Sequence, residues 1–185
     1  IFQNESRKRK YTILITLEGT LIRSTVGEGI LQFIFRPHLK EFLTGMHKIA
    51  DVIVLSTLEK SLTCTLIEII DKERHCIWAC YSCKETNLKE GLKRLDINWE
   101  KCLIITSKMD ALELQTENEV RLCTFIENQE DSSLRDLIPF LQKLIQSAPE
   151  NVGTYLNSLR QRMCSVIQKG GVFVSEEVFA ANAST

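Results

Sequence analysis

Four short apolar runs recur along this chain. Tyr11 to Ile15 leads into Thr16, with Gly19-Thr20 breaking the run soon after. Val52 to Leu55 ends at Ser56-Thr57, Cys76 to Tyr81 forms the third run, and Cys102 to Ile105 ends at Thr106-Ser107. Such nearly continuous runs fit strands buried on both faces better than half-exposed strands, which alternate. Helical spacing fills the intervals: Leu39, Phe42, Leu43, Met46 and Ile49, then Leu62, Leu66, Ile69 and Ile70, then a short helix over 88–95. Pro37 suits the first position of the first of these helices. Beyond the fourth strand, Ser132 or Ser133 is placed to cap a helix carrying Leu134, Leu137, Ile138, Leu141, Leu144 and Ile145. Pro139 lies inside that pattern and predicts a kink or a late start. Strands alternating with helices predict an α/β fold, a parallel sheet with helices on both faces. Its site should lie beyond the carboxyl ends of the strands. That places Thr16 to Thr20, Ser56-Thr57 and Thr106 to Lys108 together.

With 185 residues the chain can bury one sizeable core. The expected organisation is a basic lead-in over 1–10, an α/β domain over 11–146, and a helical extension with a small-residue tail over 147–185. A net charge of −1 gives no bulk attraction for nucleic acid or anionic lipid. No run reaches the roughly 18–20 apolar residues that cross a bilayer. The chain starts at Ile1 without a secretory apolar region, and is read as a soluble piece with any targeting or anchoring segment upstream. The seven cysteines are odd in number, and Cys64, Cys102 and Cys164 sit in apolar-periodic positions, so reduced thiols are expected. His75, Cys76, Cys80 and Cys83 have a zinc-knuckle look, but no second pair follows. No metal and no cofactor are expected, with a zinc-dependent interaction module as an alternative.

The segment Ile13 to Ile22, reading I-L-I-T-L-E-G-T-L-I, resembles the first motif of the haloacid dehalogenase-like phosphatases. It is most similar to the branch that dephosphorylates the polymerase C-terminal domain. Arg36-Pro37 and Val52 to Thr57 match that branch's next landmarks, and Lys89 stands as a counterpart of its phosphate-binding lysine. Within it, Ile15 to Glu18, Leu114 to Asn118 and Leu137 to Leu141 are similar to the presequence-receptor family of the mitochondrial inner-membrane translocase, its fifty-kilodalton subunits. Tyr155 to Ser158 echoes a further piece. One departure is that only Cys83 to Leu88 fills the interval where that family carries an added β-hairpin for docking on the channel subunit.

The resemblance implies a carboxylate nucleophile at the end of strand one, a second carboxyl two residues on, and acids after strand four that hold magnesium. Those positions read Thr16, Glu18, Thr106 and Ser107. Glu18 retains an acid, but threonine is no substitute for the nucleophile and neutral hydroxyls are poor magnesium ligands. The expectation is a pseudophosphatase, with Ser56 and Thr57 capping a helix.

Between Asp110 and Asp131 lie Glu113, Glu117, Glu119, Glu127 and Glu130, against one basic residue, Arg121. A run of this kind is often solvated surface. Interleaved with Leu122 and Phe125, it also suits a basic amphipathic helix laid in an apolar groove. Glu113, Glu117, Glu119, Leu122, Phe125 and Glu127 are therefore the candidate ligand-binding residues. The resemblance implies a receptor for mitochondrial presequences that faces the intermembrane space and hands precursors to the channel subunit, with membrane attachment only through an upstream anchor. The alternative is a nuclear relative of the polymerase C-terminal-domain phosphatases.

Overall fold

In a computed structural model the described residues are 2–3, 9–27, 29–73, 75–82, 97–107 and 117–168. The strands are β1 (Phe2–Gln3), β2 (Thr12–Thr16), β3 (Ile22–Gly27), β4 (Ile30–Phe35), β5 (Asp51–Ser56), β6 (Ile77–Ser82), β7 (Cys102–Thr106) and β8 (Glu119–Arg121). The helices are α1 (Leu39–His47), α2 (Lys60–Ile70), α3 (Ser133–Gln146) and α4 (Val152–Gln168). The main sheet runs β1-β6-β5-β2-β7-β8, with β1 antiparallel and the other neighbours parallel. All four expected strands form, each within a residue or so of its expected bounds.

Alternation along β2 sends Ile13 and Ile15 into one apolar cluster and Leu14 into another, as a sheet buried on both faces requires. The larger cluster receives Phe42 and Met46 of α1, Leu66 and Ile67 of α2, Leu137 and Leu141 of α3, and Val152 and Leu156 of α4. The smaller one joins Leu14, Ile53, Leu55, Tyr81 and Ile104. The helix expected over 88–95, Lys89, Cys83 and the shortened Cys83 to Leu88 interval lie outside the described residues. Among the described residues no helix is long and apolar enough to cross a membrane.

Several local expectations are corrected. Helix α1 begins at Leu39, two residues after Pro37, because His38 takes a left-handed conformation (φ 63°) and serves as N-cap. Helix α3 starts at Ser133 and continues through Pro139, whose exposed position lets the freed carbonyl one turn earlier reach water. Ser132 is its N-cap residue, as expected, but makes no side-chain cap bond; Asp131 Oδ1 instead accepts from Ser133 N–H at 2.9 Å. A two-stranded antiparallel sheet, β3–β4, was not foreseen: Ile22 pairs with Phe35 at its base and Gly27 with Ile30 at its tip. The core also continues past residue 146, since Val152 and Leu156 are buried in it.

Candidate functional site

Parallel register sets the strand ends level. Thr16 lies opposite Leu55, one residue before Ser56, and Ile15 lies opposite Ile105, one residue before Thr106. Thr16, Ser56-Thr57 and Thr106-Ser107 thus meet at the carboxyl edge, as expected. Beyond Thr16 the chain turns sharply, with Leu21 and Ile22 N–H both donating to Leu17 O (2.9 and 3.0 Å) and Gly19 N–H to Ile22 O (2.7 Å). Gly19 has φ 77°, and a Cβ there would stand 2.6 Å from Ser107 Oγ, so only glycine fits.

The polar groups of this edge are tied to one another. The Thr16 and Thr20 hydroxyls share a hydrogen bond of 2.5 Å. Glu18 Oε1 accepts from Thr57 N–H at 2.8 Å, Thr57 Oγ1 at 2.7 Å and Ser56 Oγ at 3.3 Å. Ser56 Oγ accepts from Leu58 N–H and Thr63 Oγ1 (3.1 and 3.0 Å). Ser56 and Thr57 therefore organise the β5–α2 turn around Glu18, and the N-cap of α2 is Glu59. Across the sheet, Thr106 Oγ1 donates to Glu119 Oε1 at 2.5 Å, and the Glu119 carboxylate also takes Arg121 Nη2 at 2.9 Å. Ser107 Oγ is buried with no hydrogen-bond partner among the described residues.

Among the described residues, these donors do not fit a magnesium ion. The strand ends offer the neutral hydroxyls of Thr16, Thr106 and Ser107, and the carboxylates of Glu18 and Glu119 are occupied by protein donors. Among the described residues the Thr16 hydroxyl pairs with the Thr20 hydroxyl, whereas a threonine nucleophile needs a base beside it.

Of the expected ligand-binding residues, Glu113 lies outside the described residues. Glu117 and Glu127 are exposed, the latter at φ 73°. Glu119 is held by Thr106 and Arg121, and Leu122 packs against the core. Phe125 is 2% exposed, beneath the Arg36 guanidinium 5.6 Å from its ring centre, and so it is no groove floor. Two residues outside the expected ligand-binding set dominate instead. Arg36 is completely buried: Nε and Nη2 donate to the two Asp131 carboxylate oxygens (3.1 and 2.9 Å), Nη1 to Thr20 O (3.1 Å) and Nη2 to Cys123 O (3.0 Å). Ile126, 70% exposed, stands beside Glu127 with its carbonyl accepting from Arg23 Nη1 at 2.8 Å. Of the zinc-like set, His75 is exposed and Cys80 is buried in β6. A shallow depression of about 730 Å3 lies between α1 and α3, lined by Lys40, Thr44, Lys48 and Ile138 among others, and none of the expected site residues borders it.

This parallel α/β sheet, with its polar turns gathered at the carboxyl edge, has the haloacid dehalogenase-like fold. Solved structures agree: the fission yeast RNA polymerase II CTD phosphatase Fcp1 bound to beryllium fluoride superimposes with a TM-score of 0.53 at 12% identity, over 82% of this chain and 56% of that one. The chain belongs to the NLI interacting factor-like phosphatase family, whose sequence model matches residues 11–152. It is 25% identical over 162 residues to the mitochondrial import inner membrane translocase subunit tim50 of Emericella nidulans, covering 84% of this chain and 30% of that protein. The corresponding subunit of Aspergillus fumigatus is 24% identical, with 32% of its length covered. The human carboxy-terminal domain RNA polymerase II polypeptide A small phosphatase 1 is 21% identical over 160 residues, 73% of this chain and 59% of that one. The chain thus spans about a third of the length of the tim50 relatives.

Proposed function

We propose that this chain is the non-catalytic receptor domain of a mitochondrial inner-membrane presequence translocase. It binds presequence-bearing precursors in the intermembrane space and passes them to the channel subunit. The observation that carries the loss of catalysis is the Thr16–Thr20 hydroxyl pair at the end of the central strand, where phosphoryl transfer of this class needs a carboxylate. Glu18 keeps the position of the general acid, but three donors hold it as a fastening of the β5–α2 turn. The translocase setting is supported by the likeness to the tim50 subunits over 84% of the chain. Basic amphipathic peptide is the ligand chemistry that suits exposed Glu127 and Glu130 beside exposed Ile126.

The test is binding of a labelled basic amphipathic presequence peptide, run beside phosphoester turnover in magnesium. A transport receptor must release its cargo, so micromolar or looser binding is expected, about −8 kcal/mol or weaker. Affinity should fall, without vanishing, as salt rises to physiological strength. The second reading, a nuclear relative of the polymerase C-terminal-domain phosphatases, is favoured by the likeness to the human enzyme and to Fcp1. Selective binding of a phosphoserine heptad peptide, with no presequence binding, would establish it. Turnover abolished by Glu18→Gln would overturn the non-catalytic reading.

A further inference from the structure

The segment from Cys123 to Asp131 leaves the sheet edge, presents Ile126, Glu127, Asn128, Gln129 and Glu130 to solvent, and returns to start α3. A solvent-facing loop of that length would sample many conformations if free, and a ligand would have to order it on binding. Here both of its ends converge on one side chain. Arg36 donates to Cys123 O at the outgoing end and forks onto Asp131 at the returning end. Phe125 beneath the guanidinium sends its N–H to Gly19 O at 2.8 Å, and Arg36 itself holds Thr20 O. Asp131 in turn accepts from Ser133 N–H, fastening the loop to the first turn of α3. Burial pushes the Asp131 carboxyl up, but the hydrogen bonds from Arg36 and Ser133 outweigh it and hold the group below the usual carboxylate range.

We infer that Arg36 is a positioning residue for ligand capture: by latching both ends of the 123–131 loop to the turn after β2, it presents Ile126, Glu127 and Glu130 in a fixed pose to a basic amphipathic segment. This rests on the receptor reading above. Arg36 touches no ligand; its contribution is the ordering done before the ligand arrives.

The experiment compares presequence affinity among chains held at a temperature where each keeps its native circular dichroism, with amide exchange at Phe125 and Ser133 followed in parallel. Arg36→Lys keeps the net charge but loses the two-pronged fork. Asp131→Asn keeps a capping acceptor for α3 while removing the ionic partner. Glu130→Gln removes the same charge from the same loop without touching the latch. Arg36→Lys and Asp131→Asn should each weaken binding about tenfold, with faster exchange at both amides, because the loop must then be ordered by the ligand. Glu130→Gln should weaken it about threefold or less, as a screened surface charge does. The salt dependence of Arg36→Lys should match that of the unaltered chain, since no charge has changed. Should Arg36→Lys fail to fold, the contrast between Asp131→Asn and Glu130→Gln decides alone. Unlatched amides with unaltered affinity, or equal losses in Asp131→Asn and Glu130→Gln, would overturn the positioning role while leaving the receptor reading intact. No binding by the unaltered chain at any salt overturns the receptor reading and this inference with it.

Discussion

Thr16 and Thr106 were readable as strand-end hydroxyls because each closes an apolar run, and the sheet register places them side by side. Their partners were not readable. Glu119 reaches Thr106 from β8, a strand of three residues that leaves no periodic trace in the sequence. Arg36 reads as a landmark of the family pattern, but only the fold shows that Asp131, 95 positions on, supplies its counter-ion. That pair sets a pH prediction. A carboxyl held down in the folded state stabilises it fully above the unfolded value, about 3.9, and less as pH falls through the folded value. The difference in urea midpoint between the unaltered chain and Asp131→Asn should therefore be constant from about pH 7 to 5 and shrink below about pH 4. A difference that stays constant down to pH 2 would mean that Asp131 does not titrate with folding.

At the scale of elements, the buried strands were legible because continuous apolar runs have few other uses. The β3–β4 hairpin was not. Its first strand reads Ile-Arg-Ser-Thr-Val-Gly, with apolar residues only at Ile22 and Val26, and its second carries apolar residues on both faces. Neither strand shows a clean apolar alternation, because the first is mostly polar and the second is apolar on both faces. Ile22 at the base is fully buried, and its neighbour Leu21 with it, while Val26 and Ile30 near the tip are 75% and 63% exposed. Base and tip should accordingly respond differently to substitution. Ile22→Ala empties a packed position and should cost about 2–5 kcal/mol. Val26→Thr keeps a β-branched side chain at an exposed site and should stay within about 0.5 kcal/mol. Urea unfolding of the two variants measures both, and equal losses would show that the tip is packed in solution.

The molecule as a whole extends further than its family pattern. The match to the family ends at residue 152, and the sequence reading divided the chain at 146, yet Val152 and Leu156 of α4 are buried to within 1% and 4% in the same cluster as Ile13 and Leu141. Tight packing fixes where α4 lies: a Cβ on Gly153 would come 2.3 Å from Asn118 Oδ1, so the helix passes close to the start of β8. Asn118 O faces inward and accepts from Ile104 N–H, so the carbonyls of Glu117 and Glu119 on either side face outward, where Arg160 of α4 donates to both. One arginine thus occupies the places that a further strand's donors would take, and α4 both completes the core and closes part of the sheet edge. Ending the chain at Asn151 should remove two buried aliphatic side chains, together about 3–6 kcal/mol of apolar burial. Set against a typical domain stability of about 5–15 kcal/mol, that is enough to blur tertiary packing. The shortened chain should keep much of its far-ultraviolet circular dichroism, lose near-ultraviolet signal, and associate through the uncovered edge of β8. Arg160→Ala separates the two effects, since it uncovers the carbonyls while leaving Val152 and Leu156 in place. It should keep the near-ultraviolet signal and still elute earlier on size exclusion as concentration rises. A shortened chain with unaltered near-ultraviolet signal and urea midpoint would place α4 outside the cooperative unit.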